Sequence, residues 1–335
     1  MEAPWNELDE TTWSAHLASS RWYDYQHLAG YELAAAERKG GRSIFLRHHT
    51  SGCGAAVRLT NLAGGLVKVA YAPAGLSFKE PVGNPELLVE VLQTLASHLL
   101  EAHGAVLVMR VPALQMHRCQ AQEAAALRAG LVRVGRSRQR WTIVLPIDRT
   151  DDALMANFNT KWRYALKQGL KQELEVDRDH QPESCDRLKA LLDALMERKR
   201  FDVVFDAGFY RERTDLFESE QLALFGARRP GESDWCSAIL VSRQGDAGTY
   251  LLGASTPEGL KAQAPSVLQW NAIQWLRERG CDAYDLGGVD WNDNPQVYTF
   301  KKRMNGAAAA SSPMMVYTKP WMRSRLCRLA FELKG

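Results

Sequence analysis

The sequence predicts an α/β (α+β) protein of two similarly built domains, each a mixed sheet flanked by helices. Three observations carry this. Strand-like stretches alternate with helical ones, one strand–helix–strand order occurs twice, and 335 residues suffice for two ordinary cores. In the first occurrence Val67 to Pro73 reads as a strand, Pro85 to His103 as an amphipathic helix and Ala105 to Val111 as a strand. In the second, Thr249 to Ser255 reads as a strand and Asp282 to Val289 as another. Between them Ser266 to Arg279 reads as a helix, with Leu268, Ala272, Trp275 and Leu276 on one face. A boundary falls near Pro146, where "WTIVLPIDRTDDAL" ends a strand and restarts as a helix capped by Thr150 or Asp151. The expected domains are 1–146 together with 313–335, and 147–312.

A net charge of +3 permits a polyanionic partner without requiring one. Six scattered cysteines lack the paired spacing of a zinc site or disulfide framework and read as reduced thiols. The acidic start, Met1 to Glu10, lacks an apolar run, and nowhere do eighteen apolar residues follow one another. The expectation is a soluble, cytoplasmic chain. Its most informative segment is the helix expected from Asp152 to Gln172. Leu154, Met155, Phe158, Trp162, Ala165 and Leu166 share one face, while Arg163, Lys167 and Lys171 recur at i, i+4 and i+8 on another. Such a row suits phosphates, and it equally suits an ordinary solvated face.

Several familiar devices are missing from the sequence. It contains no GxSxG, HExxH or GxxxxGK[ST], which removes the strongest hydrolase, zinc-protease and nucleotide-phosphate signals. The [QR]xxGx[GA] loop that holds coenzyme A has only near misses, because Arg38 with Gly41 ends in Ser43 and Arg277 with Gly280 ends in Asp282. His48 and His49 have no matching cysteine or carboxylate spacing, so no metal is expected.

Six segments in order carry a further signal. The first is "ASSRWYDYQHLAGY" (18–31), with Trp22, Gly30 and Tyr31. "YAPAGLSF" (71–78), "NTKWRYALKQGLKQELEV" (159–176) and "YLLGAS" (250–255) follow. "LQWNAIQWLRERGCDAYDLGGV" (268–289) and "FKKRMNG" (300–306) complete the set. Together they resemble motifs of the Fem peptidyltransferases (FemABX), which move an amino acid from aminoacyl-tRNA to an amine of a peptidoglycan precursor using two GNAT-like domains. The resemblance covers nearly the whole chain, and no room exists for the coiled-coil insertion some members carry.

The resemblance implies a catalytic Lys301, matching the lysine of the FK motif, with Phe300 packed beside it. A preorganised cation there would stabilise the oxyanion formed when an amine attacks the aminoacyl ester. Gly287 and Gly288 would let the preceding strand end bend. No general base stands out. Asp285 is expected to stabilise its loop, with Asp290 and Asp293 nearby, and the family is thought to draw the base from the substrate. Matched motifs place Trp22, Gln26, Arg198, Tyr250 and Ser255 at the substrate, and Lys161, Arg163, Lys167, Lys171, Lys302 and Arg303 at the tRNA. Gln26 departs from the family, which often has a lysine there to hold a nucleotide diphosphate; Arg21, Arg38 or Lys39 would have to compensate.

The implied co-substrate is aminoacyl-tRNA, with neither coenzyme A nor a metal as cofactor. The acceptor would be a UDP-linked or lipid-linked peptidoglycan precursor, and the chain a monomer. The tail "KPWMRSRLCRLAFELKG" could pack on the first domain or touch an anionic membrane surface. Other readings stay open: a small-metabolite or peptide-antibiotic acceptor, a non-catalytic RNA-binding or envelope-assembly protein, and an acyl-CoA transferase.

Overall fold

The computed structural model describes residues 3–79, 84–113, 116–134, 139–179, 181–199, 207–212 and 214–317. They fall into two units, the described parts of Met1–Trp141 with Ala309–Gly335, and Thr142–Ala308. The first unit carries β1 (Trp5–Leu8), β2 (Arg42–His48), β3 (Gly54–Leu62), β4 (Val67–Ala72), β5 (Val106–Met109) and β6 (Leu131–Arg133). Its helices are α1 (Glu10–Ala18), α2 (Ala29–Glu37), α3 (Pro85–His103) and α4 (Met116–Arg128).

The second unit begins with β7 (Trp141–Pro146) and continues through β8 (Glu175–Asp179), β9 (Leu222–Arg228), β10 (Ser237–Gln244), β11 (Ala247–Ser255), β12 (Ala283–Asp285) and β13 (Ala307–Ala310). Its helices are α5 (Asp151–Asn157), α6 (Thr160–Leu170), α7 (Pro182–Lys199), α8 (Ala207–Glu212), α9 (Thr214–Glu218), α10 (Pro257–Lys261), α11 (Ala264–Glu278) and α12 (Pro295–Lys302). Strand β14 (Met315–Tyr317) returns to the first sheet.

Both sheets repeat one plan. The first runs β1-β2-β3-β4-β5-β14-β6 and the second β13-β7-β12-β11-β10-β9-β8. In each, four strands pair antiparallel in succession and a helical crossover then adds a parallel neighbour. That step is β4 to β5 through α3 in the first sheet and β11 to β12 through α10 and α11 in the second. These are the two strand–helix–strand units visible in the sequence.

Helix α3 has the expected limits because its ends are chemically marked. Asn84 accepts from the Glu86 amide at 3.0 Å, Pro85 starts the helix, and Gly104 closes it at φ +62°. Its stripe of Leu88, Val91, Leu92, Leu95 and Leu99 is buried in the first core with Leu107 and Met109 of β5. In the second unit Leu268, Ala272, Trp275 and Leu276 of α11 are buried as expected, against Ile143 and Leu145 of β7.

Three expectations need correction. The helix expected over 152–172 is two helices, since Phe158 adopts ψ 146° and Asn159 starts α6 by accepting from the Lys161 amide at 2.9 Å. The strand expected over 282–289 ends at Asp285, because the chain turns at Gly287 with φ +72°. The second unit also begins before Pro146, whose strand β7 pairs with β12 of the second sheet. Thr150 is the cap of α5, accepting from the Ala153 amide. The tail from 318 onward lies outside the described residues.

A buried ion pair ties α2 to β3. Glu32 is 0% and Arg58 5% exposed at the side chain, and Arg58 donates to both carboxylate oxygens, from Nε at 2.9 Å and from Nη2 at 2.6 Å. Burial pushes the Glu32 carboxyl up, and the guanidinium draws it back. Removing one partner leaves an uncompensated buried charge. Urea unfolding is expected to show Arg58→Met losing about 3–5 kcal/mol, with most of the loss recovered in Arg58→Met/Glu32→Leu. Equal stability of Arg58→Met and the parent would disprove the coupling.

Candidate active site

The sequence from Asp285 to Arg303 forms a turn and a helix that bring one ammonium into a buried position. Asp285 ends β12 and accepts from the Gly287 amide at 2.7 Å and from the Thr142 hydroxyl of β7, which also reaches the Gly287 carbonyl at 2.9 Å. These contacts close the turn. Gly287 sits at φ +72°, and a Cβ there would stand 2.4 Å from the Tyr250 carbonyl oxygen, so both conformation and space require glycine. Gly288 has nothing within 4 Å of such a Cβ. Its contribution is its carbonyl, which accepts from Lys301 Nζ at 2.8 Å.

Lys301 lies in the last turn of α12, a helix capped by Asn294 and opened by Pro295. The side chain is buried, with the residue only 6% exposed, and Nζ lies 5.2 Å from the centre of the Tyr250 ring. Burial pulls the ammonium down to about 8, against an upward pull from the Asp285 carboxylate. Burial likewise pushes Asp285 up, opposed by the bonds from Thr142 and Gly287 and by Lys301. The Tyr250 phenol, pushed to about 12 by burial, stays neutral at ordinary pH.

The end of α12 is held by the break between α5 and α6. The Asn159 amide donates to the Arg303 carbonyl at 2.9 Å, and Asn305 Nδ2 donates to the Asn157 carbonyl at 3.0 Å. Arg163 completes this junction. Its Nη1 donates to the carbonyls of Ala156 at 3.0 Å and Phe158 at 2.8 Å, and its Nη2 to the Thr160 hydroxyl at 3.2 Å. The guanidinium thus satisfies carbonyls left open where α5 ends. This corrects the placement of Arg163 in a phosphate-facing row; it anchors the helix junction instead.

A cavity of about 300 Å³ within the second unit collects most of the other expected residues. Lys161, Arg198, Tyr250, Ser255, Phe300, Lys301 and Arg303 all line it. Arg198 reaches the Ser255 carbonyl at 3.3 Å, and the Ser255 hydroxyl meets that of Ser237 at 2.7 Å. Gly253 leaves room for the Tyr250 phenol, whose oxygen would be 2.7 Å from an added Cβ. Lys167, Lys171 and Lys302 are exposed outside this lining, Lys302 standing 5.4 Å from the centre of the Tyr298 ring.

Trp22 and Gln26 belong to the first unit. Trp22 pairs through its backbone with Phe78 and lines a small cavity there with His27 and Gln122. Gln26 gives its amide to the Asp24 carboxylate at 3.1 Å.

Sequence reasoning missed Ser237, Gln269 and Thr142. Gln269 is buried in α11 and accepts from the Tyr284 hydroxyl at 2.8 Å, leaving its amide nitrogen as a donor on a residue that lines the cavity. An amide on a helix face that is apolar apart from Ser266 was the available signal. Ser237 and Thr142 carried none, since hydroxyls are common in strands. Among the described residues no cluster of His, Cys, Asp and Glu could hold a metal, and no helix is long and apolar enough to cross a membrane.

Residues 155–302 match the family model for an acetyltransferase (GNAT) domain. The structure resembles the crystal structure of FemX with a TM-score of 0.81, at 18% identity over 98% of this chain and 99% of that one. It also resembles L-PGS from Bacillus licheniformis, with a TM-score of 0.57 at 13% identity over 98% of each chain. In sequence, 144 residues are 28% identical to the lipid II:glycine glycyltransferase of Staphylococcus saprophyticus, covering 42% of this chain and 34% of that protein's length. The likeness to FemX runs over both units and shows the fold that the two chains share.

The turn makes a direct prediction. Gly287→Ala must take a left-handed backbone that costs about 1–2 kcal/mol before its clash with Tyr250 is counted. Gly288→Ala is expected to stay within about 0.5 kcal/mol of the parent. Chemical denaturation of both variants checks this, and equal effects would refute the assigned roles.

Proposed function

We propose that the chain is an aminoacyl-tRNA-dependent aminoacyltransferase that forms an amide on the stem peptide of a peptidoglycan precursor. The observation that carries this reading is the buried Lys301 ammonium on the wall of the cavity, at the position of the FK motif. FemX-like architecture and the similarity to a lipid II:glycine glycyltransferase support the acceptor class. The reading places the chain in the cytoplasm as a monomer that needs neither coenzyme A nor a metal.

The chemistry follows from the ammonium's spare hydrogens. Attack of the acceptor amine on the ester carbonyl forms a C–N bond and an oxyanion; collapse breaks the ester C–O bond and releases the ribose oxygen of the tRNA. Lys301 has three N–H groups and gives one to Gly288, which leaves two for the oxyanion and the departing oxygen. Phe300 flanks the lysine in sequence and lines the same cavity, and Arg198 at the rim offers a guanidinium for an acceptor carboxylate or phosphate. Asp285 is committed to its turn. The resemblance implies that a carboxylate of the acceptor takes the proton of the attacking amine, and the same proton then passes to the departing ribose oxygen, which leaves as a hydroxyl.

A second reading keeps the chemistry and changes the acceptor to a small metabolite or peptide antibiotic. Gln26 favours it, because an amide tied to Asp24 replaces the cation that would hold a nucleotide diphosphate. A pool of labelled aminoacyl-tRNAs offered with UDP-linked and lipid-linked precursors separates these readings by where the label goes. Charged tRNAs that keep their label throughout would refute both, and would turn attention to coenzyme A or non-catalytic binding.

Two kinetic outcomes are expected. Lys301→Met should lower the single-turnover rate by about 10²–10³-fold, the usual loss for one oxyanion donor; an unchanged rate excludes the assigned role. The parent's rate should also fall as pH rises through about 8, where Lys301 loses its proton. Unfolding by this group is not the cause. Its folded value lies below that of a free lysine, so from about 8 upward the unfolded chain binds more protons and this group's contribution to stability rises with pH.

A further inference from the structure

The face of α6 that points to solvent carries one large ring among cations. Tyr164 is 65% exposed. Lys161 and Lys167 stand three residues to either side of it and Lys171 seven beyond, all exposed and all on neighbouring rows of the same face. From Thr160 to Gln172 no acidic residue interrupts them. The row covers about 15 Å at the rise of a helix. It starts at the candidate active site, since Lys161 lines the cavity that holds Lys301.

We propose that Tyr164 is a stacking platform for an unpaired nucleotide of the RNA that delivers the aminoacyl group, with Lys161, Lys167 and Lys171 following its phosphates. This rests on the aminoacyl-tRNA reading and adds the residue that reads the single-stranded end. Charge complementarity selects a polyanion, because the face holds three lysines and no carboxylate. The ring then selects an unpaired base over a duplex, whose bases are already stacked and whose phosphates call only for cations. An anionic membrane fits less well. A helix that lies on a membrane presents an apolar stripe to it, and here Trp162 and Leu166 are buried in the core of their own unit, which leaves Leu170 as a single exposed aliphatic side chain rather than a stripe.

The test measures binding of a fluorescein-labelled single-stranded oligoribonucleotide, and of deacylated tRNA, across a salt series. Tyr164→Ala is expected to weaken binding about tenfold with an unchanged salt slope, whereas Tyr164→Phe binds like the parent, since stacking needs the ring and not the hydroxyl. Lys167→Ala should instead flatten the slope by about 0.7. If Tyr164→Ala binds as tightly as the parent, or Tyr164→Phe loses as much as Tyr164→Ala, the platform is refuted. The same holds if Tyr164→Ala changes only binding to phosphatidylglycerol vesicles. Any of these three outcomes in a parent that still transfers from aminoacyl-tRNA removes this inference alone. A parent that neither binds the oligoribonucleotide nor accepts aminoacyl-tRNA removes it together with the reading beneath it.

Discussion

The local structure of the second unit depends on keeping one ammonium out of water. A buried lysine without partners would release its proton, so each of its surroundings has to be fixed in advance. The Gly288 carbonyl takes one hydrogen, the Tyr250 ring offers its face, and Asp285 contributes an attractive field. None of these is independent. The carbonyl is presented by a turn that only glycine permits at 287, and that turn is closed by Asp285 and by Thr142 from a strand far away in sequence. The helix carrying the lysine is fixed in turn by the Asn157–Asn159 junction. Residues distant along the chain thus act on one nitrogen.

Much of this was legible in the sequence where the signal is local. Asn84, Pro85 and Gly104 mark the ends of α3 by chemistry that acts within a few residues, and the stripe of α11 follows from helical periodicity. Lys301, Tyr250, Ser255 and Arg198 were gathered by motif resemblance, and the fold brings them to one cavity. The misses share a cause. Whether Arg163 faces solvent or turns back on α5 depends on a helix break at Phe158, where the apolar period continues across the break and hides it. The hydroxyl of Thr142 acquires a role only when β7 pairs with β12, a contact across more than half of the second unit.

Arg163 and its lysine neighbours show how one cationic row divides by chemistry. A planar guanidinium has several donors in fixed directions and can serve three carbonyls and a hydroxyl at once, which suits the open end of a helix. The ammonium groups of Lys161, Lys167 and Lys171 are compact and strongly hydrated, and they stay at the surface. An equal spacing along the helix therefore yields one structural cation and a set available to a polyanion. Periodicity identifies the row, but hydrogen-bond capacity decides the assignment.

In the role proposed for Lys301, the burial that would make it useful also limits it. In a partly dry site an ammonium acts on a developing oxyanion with less screening than in water, so deeper burial strengthens the attraction. Deeper burial also lowers the affinity of the amine for its proton. At a value of about 8 most molecules keep the charge at pH 7, since one unit is a tenfold ratio. Another two units would leave about one in ten charged, and the gain in attraction would be lost to depopulation. Asp285 opposes that drift through its field while remaining held by Thr142 and Gly287. Its place at the strand end therefore serves two needs, closing the turn that supplies the Gly288 carbonyl and keeping the ammonium charged in the site that turn creates.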